Sequence, residues 1–126
     1  MNFRRSVVFA VLILGGLTSA FAADITGKWA AQFDSQVGLQ KYVFEFKVEG
    51  TTLTGKASST IGDAKAETPL KEGKVEGDVV SFVENLNYQG MELRIVYKGT
   101  ISGNEIKFSR DVGGQGGENF VAKRVE

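Results

Sequence analysis

The chain has 126 residues, of which 15 are Lys or Arg and 15 are Asp or Glu, and it contains no His and no Cys. It therefore lacks the usual general base, the commonest metal ligands, thiolate nucleophiles and disulfides. Balanced charge argues against a nucleic-acid-binding protein, which needs a basic face. An enzyme would depend on carboxylates, Tyr or Lys, with Glu72 and Glu84 as the candidate pair. The composition thus favours a protein that is not an enzyme and has neither cofactor nor metal.

The first 22 residues have the pattern of a cleaved signal peptide. Two arginines precede an apolar run from Val7 to Leu17, and an Ala-x-Ala pattern ends at Ala22. This run is too short to span a bilayer, which takes about 20 apolar residues. An exported chain without Cys fits a bacterial periplasm or medium better than a eukaryotic secretory route. We therefore expect a secreted or periplasmic protein, with one mature domain over residues 23–126 and no membrane span.

The rest of the chain alternates apolar and polar residues with a period of two. Over 42–48, every second residue from Tyr42 to Val48 is apolar, and the pattern recurs over 91–98 and 105–110. Such alternation is typical of half-buried strands, and no stretch has a convincing helical stripe. We predict eight strands, Thr26–Phe33, Lys41–Val48, Leu53–Ser59, Pro69–Val75, Val79–Leu86, Met91–Ile101, Glu105–Asp111 and Asn119–Val125.

Three tight turns have the same chemistry. Gly50-Thr51, Gly77-Asp78 and Gly103-Asn104 each lie between two strand-like runs. Glycine in the first central position suits a two-residue type II′ hairpin, whose twist matches that of the strands. The pairing that follows places a Phe opposite a Gly in each hairpin, so that a ring can lie over bare backbone. The three pairs are Phe46/Gly55, Gly73/Phe82 and Gly99/Phe108.

Short sequential connections between eight strands predict an all-β protein, an antiparallel up-and-down barrel. Closure removes the exposed strand edges, and a β-sandwich is the alternative. The three tight turns and both termini then lie at one end. Four longer connections, near 34–40, 60–68, 87–90 and 112–118, lie at the other end, where a pocket is expected to open.

Gly27-Lys28-Trp29 lies in the first predicted strand, at the tight-turn end. A Gly-x-Trp at this place in an eight-stranded meander resembles the calycins, the group of lipocalins, fatty-acid-binding proteins and avidins. In that group a basic residue of the last strand often crosses the Trp ring, and Arg124 is the candidate here, with Lys123 second. The resemblance covers residues 24–126 by architecture only, since the chain has no Thr-Asp-Tyr motif and no disulfides. It implies a structural role for Trp29 and Arg124 and a ligand in the barrel mouth.

Polar side chains face inward in the half of the barrel towards the longer connections. That half contains Tyr42, Phe44, Ser59, Glu84, Tyr97 and Arg110. Inward charges need a partner or a function. One interpretation is a pocket for a small, partly hydrophobic ligand, with Arg110 facing an anionic or carbonyl group. The other is an ion pair between Glu84 and Arg110 in a filled barrel. Lys71 also has inward parity, unless a bulge at Glu72-Gly73 turns Leu70 inward instead.

The connection over 111–118 is rich in glycine, with Gly113, Gly114, Gly116 and Gly117. No Lys-Ser or Lys-Thr follows it, which argues against a P-loop. We expect a flexible hairpin loop that acts as a lid for ligand entry. Tyr88, on a neighbouring connection, is expected to contact a ligand or a partner protein, or to pack on the rim.

Two functions are consistent with these features. The first is an exported, non-enzymatic, lipocalin-like protein that binds a small, partly hydrophobic ligand in the barrel mouth. The alternative is a periplasmic protein-binding module, such as a hydrolase inhibitor, that acts through its open-end loops.

Overall fold

The computed structural model describes residues 23–125, so the predicted signal peptide lies outside the described residues. The strands are β1 (Gly27–Ser35), β2 (Gly38–Glu49), β3 (Thr52–Ile61), β4 (Ala64–Glu76), β5 (Val79–Tyr88), β6 (Met91–Ser102), β7 (Glu105–Val112) and β8 (Asn119–Val125). Each pairs antiparallel with the next, and β8 pairs with β1, which closes the barrel. The predicted eight-stranded up-and-down barrel is confirmed, and the β-sandwich alternative is wrong. None of the described residues forms a helix long and apolar enough to cross a membrane.

The three predicted tight turns are present. Each connects strands that pair up to the residues flanking the Gly-polar dipeptide. The φ angles of Gly50, Gly77 and Gly103 are 65°, 60° and 61°, whereas the residue after each glycine is not in the positive-φ region. A type II′ turn requires this combination, so the glycines set both the turn type and the register of their hairpins.

The opposite end, here called the mouth, differs from the prediction. The connections expected over 34–40, 60–68 and 87–90 are two-residue turns at 36–37, 62–63 and 89–90, and only the connection over 113–118 is longer. The strands continue to these turns because residues outside the predicted strands, such as Gln40 and Thr68, share in the pairing. Near the solvent, some inward positions hold polar residues, which interrupt the apolar alternation that is typical of a strand. The alternation alone therefore does not locate the strand ends at the mouth.

The barrel interior is filled by aromatic rings. Phe44 is central, and its ring centroid lies 5.3–5.8 Å from those of Tyr42, Phe46, Phe82, Tyr97 and Phe108. The predicted inward positions of Phe46, Phe82 and Phe108 are confirmed. Of the three predicted Phe/Gly pairs, Phe46/Gly55 and Gly99/Phe108 are in register, and an added Cβ at Gly99 would lie 2.7 Å from the Phe108 ring. The Gly73/Phe82 pair is wrong, because the pairing of the two strands shifts between Lys71 and Lys74. The middle of the barrel is thus filled with side chains, and the open volume lies nearer the mouth.

A β-bulge in β4 changes one predicted layer. The pairing shifts between Lys71 and Lys74, and Glu72 has a φ angle of 53°. Leu70 therefore pairs with Glu84 and is buried, while Lys71 is exposed. The inward pairing of Lys71 with Glu84 is wrong, and the alternative with a bulge at Glu72-Gly73 is confirmed.

The tight-turn end is plugged. Trp29 is fully buried, and its Nε1 donates to the carbonyl of Ile25 at 2.9 Å. The Arg124 guanidinium carbon lies 4.6 Å from the Trp29 ring centroid, and its nitrogens donate to the carbonyls of Thr26 and Asp24. Arg124, rather than Lys123, is thus the cation that crosses the tryptophan, and it connects the segment before β1 to the last strand.

Candidate functional site

A cavity of about 470 Å³ opens at the mouth. Its polar lining includes Gln40, Arg110 and Glu118, and Tyr88 lies at its rim. The aliphatic lining consists of Val37, Ile61, Leu86, Leu93, Ile95 and Val112. Such a combination, an apolar wall with a few convergent polar groups, is typical of small-molecule sites.

Glu84 lies beneath this cavity and is completely buried. Its Oε1 accepts hydrogen bonds from the hydroxyls of Tyr97 at 2.7 Å and Tyr42 at 3.1 Å, and its Oε2 accepts from Thr68 Oγ1 at 2.8 Å. Three hydroxyl donors thus replace the water that a buried carboxylate loses.

The same two phenols separate Glu84 from Arg110. Nη1 of Arg110 donates to the hydroxyl of Tyr97 at 3.1 Å and to that of Tyr42 at 3.4 Å. The expected ion pair between Glu84 and Arg110 is therefore indirect. The direct partner of the guanidinium is Glu118, whose Oε1 accepts from Nε at 2.6 Å.

Two further contacts fix the guanidinium. Nη2 of Arg110 donates to Gln40 Oε1 at 3.1 Å, and Gln40 Nε2 in turn donates to Ser35 Oγ at 2.7 Å. The guanidinium carbon lies 4.6 Å from the ring centroid of Phe33, which stacks on Phe120. Arg110 is therefore held between an aromatic face and four hydrogen-bond acceptors.

The buried phenols resist ionisation. Burial, with a further contribution from the Glu84 carboxylate, raises the pKa of Tyr42 to about 12 and that of Tyr97 well above its usual 10.0. Burial alone would lower the pKa of Arg110, but Tyr97, Tyr42 and the Glu118 carboxylate raise it above its ordinary value. At neutral pH each phenol thus remains a donor to Glu84 and an acceptor for Arg110.

The predicted ligand-binding residues lie at two depths. Among them, Arg110 lines the mouth cavity, whereas Tyr42, Phe44, Ser59, Glu84 and Tyr97 lie below it and are buried. The space between the deeper residues is packed, and Ser59 Oγ is buried without a hydrogen-bond partner among residues 23–125. Their role in binding remains a prediction, with the deeper residues acting as the floor.

Sequence reasoning missed Gln40, Glu118 and the aliphatic ring of the cavity. Gln40 has the same strand parity as Tyr42, and that parity is the signal that could have found it. Glu118 precedes β8 in an irregular segment, and no periodicity in the sequence indicates its direction.

The glycine-rich loop is closed by internal hydrogen bonds. The carboxylate of Asp111 accepts from the backbone amides of Gly114 and Gly116, both at 2.8 Å, and the amide of Gly113 donates to the Arg94 carbonyl at 2.8 Å. Gly113, Gly116 and Gly117 line the cavity, whereas Gly114 does not. The loop thus forms one wall of the mouth, and its role as a flexible lid remains a prediction.

The candidate carboxylate pair does not converge. Glu72 lies on the outer face, where its carboxylate binds both terminal nitrogens of Arg94 at 3.0 and 3.1 Å, while Glu84 points into the core. Among residues 23–125, no group of three or more acidic side chains is arranged to hold a metal ion.

A second concavity, of about 510 Å³, lies on the outside of the barrel over β6, β7 and β8. Its polar side chains, including Lys98, Lys107 and Asn119, are exposed to solvent. The mouth cavity is the stronger candidate because it combines apolar walls with buried, oriented polar groups.

In comparisons with known proteins, the sequence matches no protein-family model, no curated protein and no solved structure. Function is therefore inferred from the geometry of the mouth.

Proposed function

We propose that this chain is a non-enzymatic binding protein that takes a small, partly hydrophobic ligand in the barrel mouth. The observation that carries this proposal is the cavity of about 470 Å³ with an aliphatic wall above the fixed Arg110 cluster. The packed core beneath limits the depth of the site, so the ligand is expected to be small and partly accessible to solvent.

We also propose a calycin-like fold and export from the cell. The closed barrel and the Trp29–Arg124 contact at the plugged end support the calycin-like assignment. The signal-peptide pattern of residues 1–22 supports export to a periplasm or medium.

A neutral fluorescent probe, N-phenylnaphthylamine, tests the ligand site without involving charge. Its fluorescence is expected to rise on binding to the native protein and to stay low with Leu93→Trp, which fills the cavity with a larger side chain. Leu39→Trp is the matched control, because Leu39 is 43% exposed and lies outside the cavity. Equal binding by both variants would place the probe elsewhere and contradict the proposal.

A second candidate function is protein binding, such as inhibition of a periplasmic hydrolase. Val37 lies in one mouth turn and Met91 follows another, they are 50% and 63% exposed, and the core below the mouth cavity is filled. Capture of a partner from periplasmic extract is expected to be lost in a Val37→Asp/Met91→Asp variant and kept in a Val43→Asp/Val96→Asp variant. The control alters two outer-face valines of similar apolar character. Equal capture by both variants would count against this function.

A further inference from the structure

The hydrogen-bond donors of Arg110 are largely used within the protein. Its Nε, Nη1 and Nη2 atoms donate to Glu118, to the two phenols and to Gln40, at 2.6–3.4 Å. Its side chain is 3% exposed. Four of the five N–H donors of the guanidinium are therefore used, and an anionic ligand that paired with two of its donors would have to displace one of these acceptors, which would then lose its partner.

Several backbone amides of the glycine loop are also occupied. Asp111 takes those of Gly114 and Gly116, and the amide of Gln115 donates to the carbonyl of Val112. Anion-binding loops need free amides that point towards the ligand. The amides of Gly114, Gln115 and Gly116 are directed to acceptors of the same chain, so an anion at the mouth would compete with these acceptors.

The mouth instead offers an unused acceptor. Glu118 lines the cavity with a side chain that is 22% exposed. Its Oε1 accepts from Arg110, whereas its Oε2 takes no hydrogen bond from any residue of the described chain. A ligand group that donates a hydrogen bond therefore has a partner ready.

Charge favours the same kind of group. Arg110 is the only cation among the lining residues that the structure describes, and the carboxylates of Glu118 and Glu84 are coupled to it. These three groups together carry an excess negative charge. A nearby positive charge would be attracted more strongly here than in water, because the partly enclosed site has a lower effective dielectric constant.

We infer that the ligand of the mouth has a protonated amine as its polar end, bound at Glu118, and that carboxylate amphiphiles are disfavoured. This inference rests on the proposed function and adds the chemical class of the ligand. It differs from the expectation that Arg110 itself binds an anionic or carbonyl group, because four of the five Arg110 N–H donors are engaged in the folded protein.

Three probes with the same tail test the inference: octylammonium, octanol and octanoate, each titrated calorimetrically into the native protein at neutral pH. Octylammonium is expected to bind most tightly and octanoate most weakly, with at least about tenfold between their dissociation constants. This comparison needs no variant and is independent of any folding defect.

Glu118→Gln provides the decisive variant, since a Gln oxygen can still accept from Arg110 while the charge is removed. The preference for octylammonium is expected to fall to about threefold or less in this variant. Glu92→Gln, which makes the same change in net charge at an exposed position outside the cavity, is expected to keep it.

The outcomes separate the two proposals. If all three probes bind without preference, or if octanoate binds best, the inference is wrong and the ligand site stands. A preference that survives Glu118→Gln also overturns the assignment to Glu118. If none of the probes binds, the ligand site fails and the inference fails with it.

Discussion

Glu84 shows how much of the free energy of folding can depend on one buried carboxylate. Glu84→Leu would leave the hydroxyls of Tyr42 and Tyr97 without their acceptor and would remove a negative charge that is coupled to Arg110. Removal of one member of a buried charged network costs about 3–5 kcal/mol. We expect a loss of this size in the free energy of unfolding, measured by urea denaturation.

The matched control is Glu92→Leu, at an exposed position, which is expected to change the free energy of unfolding by about 0.5 kcal/mol or less. A loss below about 1 kcal/mol for Glu84→Leu would show that water or alternative partners satisfy the two phenols.

The raised pKa of Tyr42 predicts a loss of stability in alkali. The pKa of Tyr42 is about 12 in the folded state against 10.0 for an ordinary phenol, so folding favours the protonated form. The resulting stabilisation is complete below pH 10.0 and is lost as pH rises towards about 12. Urea denaturation across this interval is expected to show a falling free energy of unfolding, while tyrosinate absorbance lags behind that of the unfolded chain.

Tyr42→Phe tests the origin of this pH dependence, since it removes one titrating group and keeps the ring. The slope of stability against pH is expected to become shallower in the variant, with the remaining slope due mainly to Tyr97. An unchanged slope would mean that Tyr42 ionises as readily in the folded state as in the unfolded state.

At the scale of strands, Gly99 in β6 leaves room for the ring of its partner in β7, Phe108. A Cβ at this position would lie 2.7 Å from both Phe108 Cδ1 and Ile106 Cγ2. Gly99→Ala is therefore expected to reduce the free energy of unfolding by about 1–3 kcal/mol. In a Gly99→Ala/Phe108→Leu double variant, the loss of unfolding free energy is expected to be smaller than the sum of the two single-variant losses, by at least about 0.5 kcal/mol. Additive losses would indicate that the Phe108 ring is not the obstacle.

The loop over 113–118 depends on one side chain. Asp111→Ala removes the acceptor of the Gly114 and Gly116 amides, and we expect faster hydrogen exchange at these two amides, measured by NMR. Asp63→Ala, in an exposed mouth turn, is the control and is expected to leave them unchanged. If exchange at Gly114 and Gly116 is already fast in the native protein, the loop is a flexible lid, as its composition suggests.

The sequence predicts the tight-turn end of the barrel better than the mouth. Gly50, Gly77 and Gly103 each follow an alternating run and precede another, so turn chemistry and period agree on the register. Near the mouth, inward polar residues such as Gln40 and Thr68 break the alternation. The alternation therefore predicts strands that are too short and connections that are too long. The bulge at Glu72 adds an ambiguity of one residue that parity alone does not resolve.

The sequence predicts several of the inward-facing residues of the candidate site, but it does not predict how far each of them lies below the cavity. Parity places Glu84 and Arg110 inside, yet it does not show that two tyrosines separate them or that the cavity begins above the Tyr97 level. Depth depends on the stagger of strands around the barrel, which no single hairpin specifies. The partner of Arg110 comes from a loop, where no repeat constrains the direction of Glu118.

At the scale of the whole molecule, the barrel has two unlike ends with a packed core between them. Rings around Phe44 fill the middle, a cation on Trp29 seals one end, and the polar cluster of Arg110 forms the floor of the other. Exposed or partly exposed residues of the cavity wall, such as Val37 and Leu93, lie above the packed core, so their substitution is expected to affect binding with little effect on folding. Substitutions at the two ends should therefore have separable effects.

Ile25 allows that separation to be tested. It is 1% exposed beneath the tight-turn end, its carbonyl accepts from Trp29 Nε1, and the preceding amide of Ala23 donates to the carbonyl of Gly77. In a chain that starts at Ala23, Ile25→Ala is expected to reduce the free energy of unfolding by about 2–5 kcal/mol. Val125→Ala, at the same end but 43% exposed, is expected to change it by about 0.5 kcal/mol or less. Since Ile25 is remote from the mouth, probe affinity should be unchanged in the folded fraction of both variants. A large loss of probe affinity with Ile25→Ala would show instead that the plug and the mouth are coupled through the aromatic core.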